Sequence, residues 1–315
     1  MSRSPAPFDV ITMGEVLVEV ATELPLAHGI PATLGVSGDA LNVAAAAAAA
    51  GARVGLAAVL TDDDLGRAIT ERVAELGIAI DLLRYRHGHQ GVYLSHSDPA
   101  GEREFSYART GSVGSWLART DLADEVLAAA GAVVASGITC AISSAARDAV
   151  VHAARTARRF VYDPNFRPRL TDAATAARIL SEVAPYAFVI TPSFPGETAA
   201  LLQVDTALEA AWRLRAAGAE YVAVTCGSTG VQLLGPDGAT WIEAVPAPVV
   251  IDQTGAGDAY VGTLTARLVL GDDPVTAAHL AAAAASLVVG GRGGTGPVPT
   301  LEQTRAHLRA ATATP

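Results

Sequence analysis

From Ala132 onward the chain repeats one unit: a short apolar run, then a longer stretch with helical periodicity. Strands are read at 132–136, 160–163, 187–191 and 220–226, with helices at 144–158, 172–183, 196–203 and 206–217. Repeated strand–helix units close into a largely parallel sheet covered by helices on both faces. Side chains that do chemistry in such a sheet come from the loops at the strands' carboxyl ends. The N-terminal third keeps part of this rhythm. Phe8 to Gly14 and Arg53 to Leu60 read as strands, and Ser37 to Gly51 and Asp62 to Leu76 as helical segments. Four runs fall outside it: Val16 to Ala21, Ala32 to Val36, Gly91 to Ser97 and Arg103 to Arg109. They alternate like half-buried strands, and Asp98-Pro99-Ala100-Gly101 reads as the turn between the last two. The expected architecture is α/β, a largely parallel sheet flanked by helices, with a small β-sheet appendage. The core comprises residues 1–14, 37–82 and 113–315, and the appendage 15–36 and 83–112.

Composition narrows the function. Half of the 315 residues are hydrophobic, yet no run reaches the ~18 uninterrupted apolar residues of a membrane span. Met1 to Pro7 has no signal-peptide apolar core, so a soluble cytoplasmic protein is expected. Cys140 and Cys226 fit a reducing compartment and form no metal pattern, and the seven histidines show no ligand spacing. A net charge of −10 argues against nucleic acid or an anionic membrane as partner. All 22 basic residues are arginines. The absence of lysine removes P-loop NTPases, pyridoxal-phosphate enzymes and Schiff-base aldolases, which need its amine. A Rossmann dinucleotide site fails too, because Gly14-Glu15-Val16-Leu17 follows the first strand where G-x-G-x-x-G should stand.

The chemistry gathers at Ile251-Asp252-Gln253-Thr254-Gly255-Ala256-Gly257-Asp258, which runs into a helical stretch, Ala259 to Leu270. Small residues at a helix start leave backbone N–H groups uncovered where the helix dipole is positive, a cradle for phosphate. A carboxylate beside phosphate is repulsive unless it faces a hydroxyl about to attack, as a general base. The other reading of Asp258 is a first-turn dipole partner. Upstream, Asp39 and Asn42 follow Gly38 at i and i+3, on one face of a helix start, suited to sugar hydroxyls or, for Asp39, to capping.

Asp252-x-Thr254-Gly255-Ala256-Gly257-Asp258 resembles the C-terminal signature of the ribokinase-like (PfkB) carbohydrate kinases, and further matches spread this resemblance over almost the whole chain. It implies ATP and Mg²⁺ as cofactors, with Asp258 as base and the amides of Gly255, Ala256 and Gly257 under the phosphoryl group. Ser37-Gly38-Asp39-Ala40-Leu41-Asn42 is similar to the family's substrate-binding Gly-Gly-x-x-x-Asn element, with Ser37 in place of the first glycine. Asp163-Pro164-Asn165-Phe166-Arg167 resembles its Asp-x-Asn-x-Arg element, which puts Arg167 near substrate or phosphoryl. Glu197 stands where the family organises water around Mg²⁺; alone it is a first-turn carboxylate. Thr225-Cys226-Gly227-Ser228-Thr229-Gly230, by itself a hairpin turn, corresponds to the nucleotide loop, with Thr225, Gly227 and Gly230 as contacts. Asp252, with Thr254 and Gly290 to Gly296, corresponds to a monovalent-cation site of some relatives.

The small sheet corresponds to a lid over the sugar and a homodimer surface. Even spacing sets Tyr107 and Arg109 on one strand face, and with Tyr93 they offer two phenols and a guanidinium. Taken alone, these are edge-strand residues with aromatic cross-strand pairs. Phe105-Ser106-Tyr107-Ala108-Arg109 resembles the lid segment of 2-keto-3-deoxygluconate kinases, and an Arg-bearing segment of fructokinases. The expectation is phosphorylation of a primary hydroxyl of a keto-sugar acid, 2-keto-3-deoxygluconate first. Fructokinase or another neutral-sugar kinase is the alternative, and a non-catalytic sugar- or nucleotide-binding sensor the rival from another class.

Overall fold

The computed structural model describes residues 8–97, 103–296 and 298–313; the turn expected at 98–101 lies outside them. The strands are β1 (Val10–Met13), β2 (Leu17–Thr22), β3 (Thr33–Ser37), β4 (Val54–Ala57), β5 (Val59–Thr61), β6 (Arg84–Arg86), β7 (Gly91–Ser97) and β8 (Arg103–Ala108). They continue with β9 (Ala132–Ser136), β10 (Phe160–Asp163), β11 (Ala187–Ile190), β12 (Tyr221–Thr225), β13 (Gly230–Gly235) and β14 (Gly238–Glu243). The helices are α1 (Asp39–Ala49), α2 (Asp64–Glu75), α3 (Asp124–Ala129), α4 (Gly137–Ile142), α5 (Ser144–Thr156) and α6 (Ala173–Val183). After them come α7 (Gly196–Leu202), α8 (Ala207–Ala216), α9 (Ala256–Val269), α10 (Pro274–Val288) and α11 (Leu301–Thr312).

The main sheet has the order β14-β13-β12-β11-β10-β9-β1-β4. It is parallel from β4 to β12 and antiparallel only at the β12-β13-β14 edge. Alternate residues along each strand feed opposite layers. Ile11, Met13, Val133 and Ala135 join a core with α5, α6 and α8, whereas Val10, Val134 and Val161 join one with α1, α9 and α10. The second layer is alanine-rich, so its backbones approach closely. At Gly262 of α9 a Cβ would stand 2.3 Å from the Val43 carbonyl of α1, which fixes where the two helices cross. One turn back along α9 is Asp258, and it meets Asn42, the residue beside Val43.

The small sheet runs β3-β2-β7-β8. Register aligns Gly35, Glu19, Tyr93 and Tyr107 across it, in one row on one face. One expectation needs correction. Arg53 to Leu60 is not one strand: beyond Ala57 the chain leaves the main sheet's edge, and β5 pairs with β6 in a two-stranded sheet. The segment 83–112 therefore gives β6 to that pair and only β7 and β8 to the small sheet. The helix read at 144–158 is α5, and Ser143, extended at φ −164°, caps it with its hydroxyl and separates it from α4, a short helix that the periodicity does not announce.

Candidate active site

The carboxyl ends of β1, β9 and β10 and the starts of α1 and α9 surround an open cleft. Asp39, Ser136, Asp163, Asn165 and Asp258 line it. Gly255 begins α9 in the left-handed region (φ 82°), where a side chain would be strained, and turns the chain so that Asp258 sits in the first helical turn. First-turn amides of a helix lack intrahelical acceptors, so Gly257 and Asp258 offer N–H groups together with the positive end of the dipole, while the Ala256 N–H donates to the Gln253 carbonyl at 3.3 Å. Gly257 is exposed, with nothing within 4 Å of where its Cβ would be.

Asn42 Nδ2 donates to Asp258 Oδ2 at 2.7 Å, across 216 residues of sequence. Burial pushes the Asp258 carboxyl up to about 7, and the Asp39 charge adds to this; the Asn42 hydrogen bond and Arg167 pull the other way. A carboxylate poised near neutrality is matched to taking a proton from an alcohol. Asp39 does not cap α1, whose N-cap is Gly38. Its Oδ2 accepts from Ser136 Oγ of β9, and burial raises its pKa despite that bond. Asp163 lies well above the usual carboxylate range through burial and the charges of Glu197 and Asp258.

The aspartates suggest a test. Asp39→Asn removes a negative neighbour of Asp258, so the Asp258 pKa falls and the acid limb of the kcat–pH profile moves to lower pH. An unmoved limb, in a variant that still turns over, contradicts this coupling.

Two loops away, Glu197 is buried and its oxygens are taken by amides: Phe166 N–H at 2.5 Å and Ser193 N–H at 2.7 Å. It thereby ties together the loops that follow β10 and β11. Thr225 ends β12, and its carbonyl accepts from Phe194 N–H at 2.8 Å. Gly227 (φ 58°) and Gly230 (φ 134°) make the turn into β13, and a Cβ on Gly230 would strike the Ile242 carbonyl at 2.3 Å. The turn at 226–230 is thus a hairpin between antiparallel strands, as its local sequence suggests. Asp252 is buried, accepting from Thr254 N–H at 2.7 Å and Gly293 N–H at 3.0 Å.

Tyr93 and Tyr107 are cross-strand partners with ring centroids 5.8 Å apart, and the Arg109 guanidinium lies 4.9 Å over the Tyr107 ring. Tyr93 is buried and Tyr107 is 48% exposed. Arg109 forms an ion pair with Glu15, a residue the sequence reading passed over. Both side chains are nearly buried, and burial pushes Glu15 up to about 7, with Arg109 lowering it and Asp39 raising it. Arg167 is exposed, its Nη1 donating to the Phe166 carbonyl at 3.2 Å, and its charge acts on Asp258 and Asp39. A second arginine, Arg169, also went unread; it reaches across to the Phe105 carbonyl of β8 at 3.0 Å.

A glycine turn at a helix start, a carboxylate raised toward neutrality and a cleft at the strands' carboxyl ends thus converge. Residues 14–301 match the pfkB family carbohydrate kinases. The chain belongs to that family. Among its relatives, the 2-dehydro-3-deoxygluconokinase of Thermoproteus tenax is 33% identical over 311 residues, 97% of this chain and 95% of that protein. The 2-dehydro-3-deoxygluconokinase of Bacillus subtilis is 26% identical, over 96% of each chain. A putative ribokinase II from E. coli, solved in complex with ATP and Mg²⁺, superposes with a TM-score of 0.86 at 22% identity, covering 96% of this kinase and 99% of that chain. The carbohydrate kinase so defined has a ribokinase-like fold, and no helix among its described residues is long and apolar enough to cross a membrane.

Proposed function

We propose that this kinase transfers the γ-phosphoryl group of ATP to a primary hydroxyl of 2-dehydro-3-deoxygluconate, with Asp258 as general base. The observation that carries the reading is the Asn42–Asp258 hydrogen bond, which aims a carboxylate of near-neutral pKa into the cleft beside the Gly255-Ala256-Gly257 turn. In this account Asp258 takes the hydroxyl proton as the new P–O bond forms, and the turn's amides hold the charge spread over the phosphoryl oxygens. Gly38, Asp39 and Asn42 bind sugar hydroxyls. Tyr93, Tyr107 and Arg109 face the sugar from a lid made by the small sheet, and Arg167 faces it from the core. Closing the lid excludes water that would otherwise consume ATP. The domain division that goes with this is the one expected from sequence, 15–36 and 83–112, with the lid sheet itself made by β2, β3, β7 and β8.

The nucleotide is assigned to Thr225, Gly227, Gly230, Gly255 and Gly257. Glu197 and Asp258 each raise the Asp163 pKa, a repulsion that a divalent cation nearby would relieve; no three metal-ligating side chains cluster among the described residues, so the ion would be held mainly by phosphate and water. Glu197 would hold Mg²⁺ through water, and the ion supplies neutralisation of phosphate charge. Asp252 is the carboxylate that a monovalent cation would approach. Exposed Leu24, Leu26 and Leu34 after β2 and on β3 support a homodimer through the lid, which sedimentation of the full chain tests. No membrane or nucleic-acid partner is proposed, and the cytoplasm is the proposed location.

Sugar-dependent ADP release across a panel of acid and neutral sugars tests the function. Turnover with the keto-sugar acid supports it, and binding without ADP release from any sugar points instead to a sensor. A preference for D-fructose would make this a fructokinase.

A further inference from the structure

The stretch Gly290-Gly291-Arg292-Gly293-Gly294-Thr295-Gly296 follows α10 and threads between four elements. Besides the Gly293–Asp252 bond, the Thr295 hydroxyl donates to the Val36 carbonyl of β3 at 2.6 Å. Arg72 of α2 donates to the Thr295 carbonyl at 2.9 Å, and Arg292 pairs with Glu23 just beyond β2. At the centre, Gly294 is buried, and its carbonyl oxygen lies 3.2 Å from where a Cβ on Gly255 would stand. The loop is therefore pinned to the small sheet, to α2 and to the residue that opens the phosphate-binding turn.

Gly294 carries no side chain for a definable reason. A Cβ there would stand 2.3 Å from Ser37 Oγ, 2.5 Å from Asn42 Nδ2 and 2.6 Å from Asn42 Oδ1, all under the 3.0 Å that Cβ contacts respect. The loop backbone is fixed at several points, so the cheaper groups to displace are the Ser37 hydroxyl and the Asn42 amide. That amide is the donor to Asp258. We propose that Gly294 is a positioning residue for Asp258, acting through Asn42: its missing side chain leaves the amide the space in which it meets the carboxylate. The proposal rests on Asp258 being the base.

Asp258 is faced by Asp39 of α1, Asp163 of β10 and Arg167 of the following loop as well as by Asn42. Only the Asn42 contact changes in a Gly294 variant. Loss of that bond removes an interaction that favours the carboxylate, so the acid limb of the kcat–pH profile moves to higher pH.

The test compares Gly294→Ala, Asn42→Ala and the double variant with ATP and the accepted sugar. Gly294→Ala is expected to lower kcat by about tenfold to a hundredfold, as for losing one hydrogen bond to a charged group, and to shift the acid limb upward. KM for ATP stays near the wild-type value. In the Asn42→Ala background the Gly294 change costs little further in kcat, since the amide that meets Asp258 is gone and only the Ser37 hydroxyl remains to be displaced. The proposal is equally supported if Gly294→Ala fails to fold while the double variant folds and turns over like Asn42→Ala. It is overturned by wild-type kcat and pH profile in Gly294→Ala, by multiplying losses in the double variant, or by both Gly294 variants failing to fold. Asp258→Asn separates the two levels. If it turns over like wild type, the base assignment fails; if it is inactive while the losses multiply, only the role of Gly294 fails.

Discussion

Asp258→Asn is expected to lower kcat by ~10²–10⁴, the range for losing a general base, while ATP and sugar still bind. The substitution is nearly isosteric, and its amide oxygen can still accept from Asn42 Nδ2, the donor now 2.7 Å from Asp258 Oδ2. What goes is the ability to take a proton. Because the phosphoryl-transfer transition state is loose, positioning and charge stabilisation by the turn's amides survive, so turnover falls without vanishing. In the wild type, the base must be ionised, and burial and Asp39 have raised its pKa to about 7. Activity should accordingly fall as pH drops through 7. The residual activity of Asp258→Asn should lack that limb. Steady-state kcat across pH 5–9, with isothermal titration for binding, checks both, and wild-type-like turnover in the variant removes Asp258 from the chemistry.

Arg109→Leu is expected to raise KM for the acid sugar by ~10-fold or more, equivalent to ~1.4 kcal/mol, and to change a neutral sugar's KM much less. A substrate carboxylate gains from a charged, partly desolvated guanidinium, whereas a hydroxyl gains less. The structure adds a competitor, because Arg109 is already paired with Glu15. With Glu15 pushed up to about 7, protonation frees the guanidinium as pH falls through that value. The wild-type KM for the acid sugar should thus decrease from pH 8 to 6, and the Arg109→Leu KM should be flat over the same window. A KM that rises equally for acid and neutral sugars would reduce Arg109 to a structural role.

Much of the fold could be read because it is written in local periodicity. The βα repeats after Ala132 and the alternating runs of the small sheet each depend on neighbours within a few residues. The departure of β5 was not legible, since it depends on β6 as a tertiary partner. The same division runs through the site. Gly255 to Asp258, Gly227 and Gly230 announce themselves as glycine-rich turns beside a strand or helix end. Glu15 sits in no pattern; only the fold brings it to Arg109, 94 residues away. Arg169 reads as a solvated arginine until β8 is beside it. Gly294 is one glycine among several in its loop, and its meaning lies in the 2.5 Å between an absent Cβ and Asn42 Nδ2. Sequence carries which residues are suited to a task, and packing decides which of them meet.

If Arg109 selects a keto-sugar acid for phosphorylation, the choice is read out by wild-type kcat/KM for 2-dehydro-3-deoxygluconate against D-fructose, with ATP and Mg²⁺ saturating. A higher kcat/KM is expected for the acid sugar. A higher kcat/KM for fructose would contradict it.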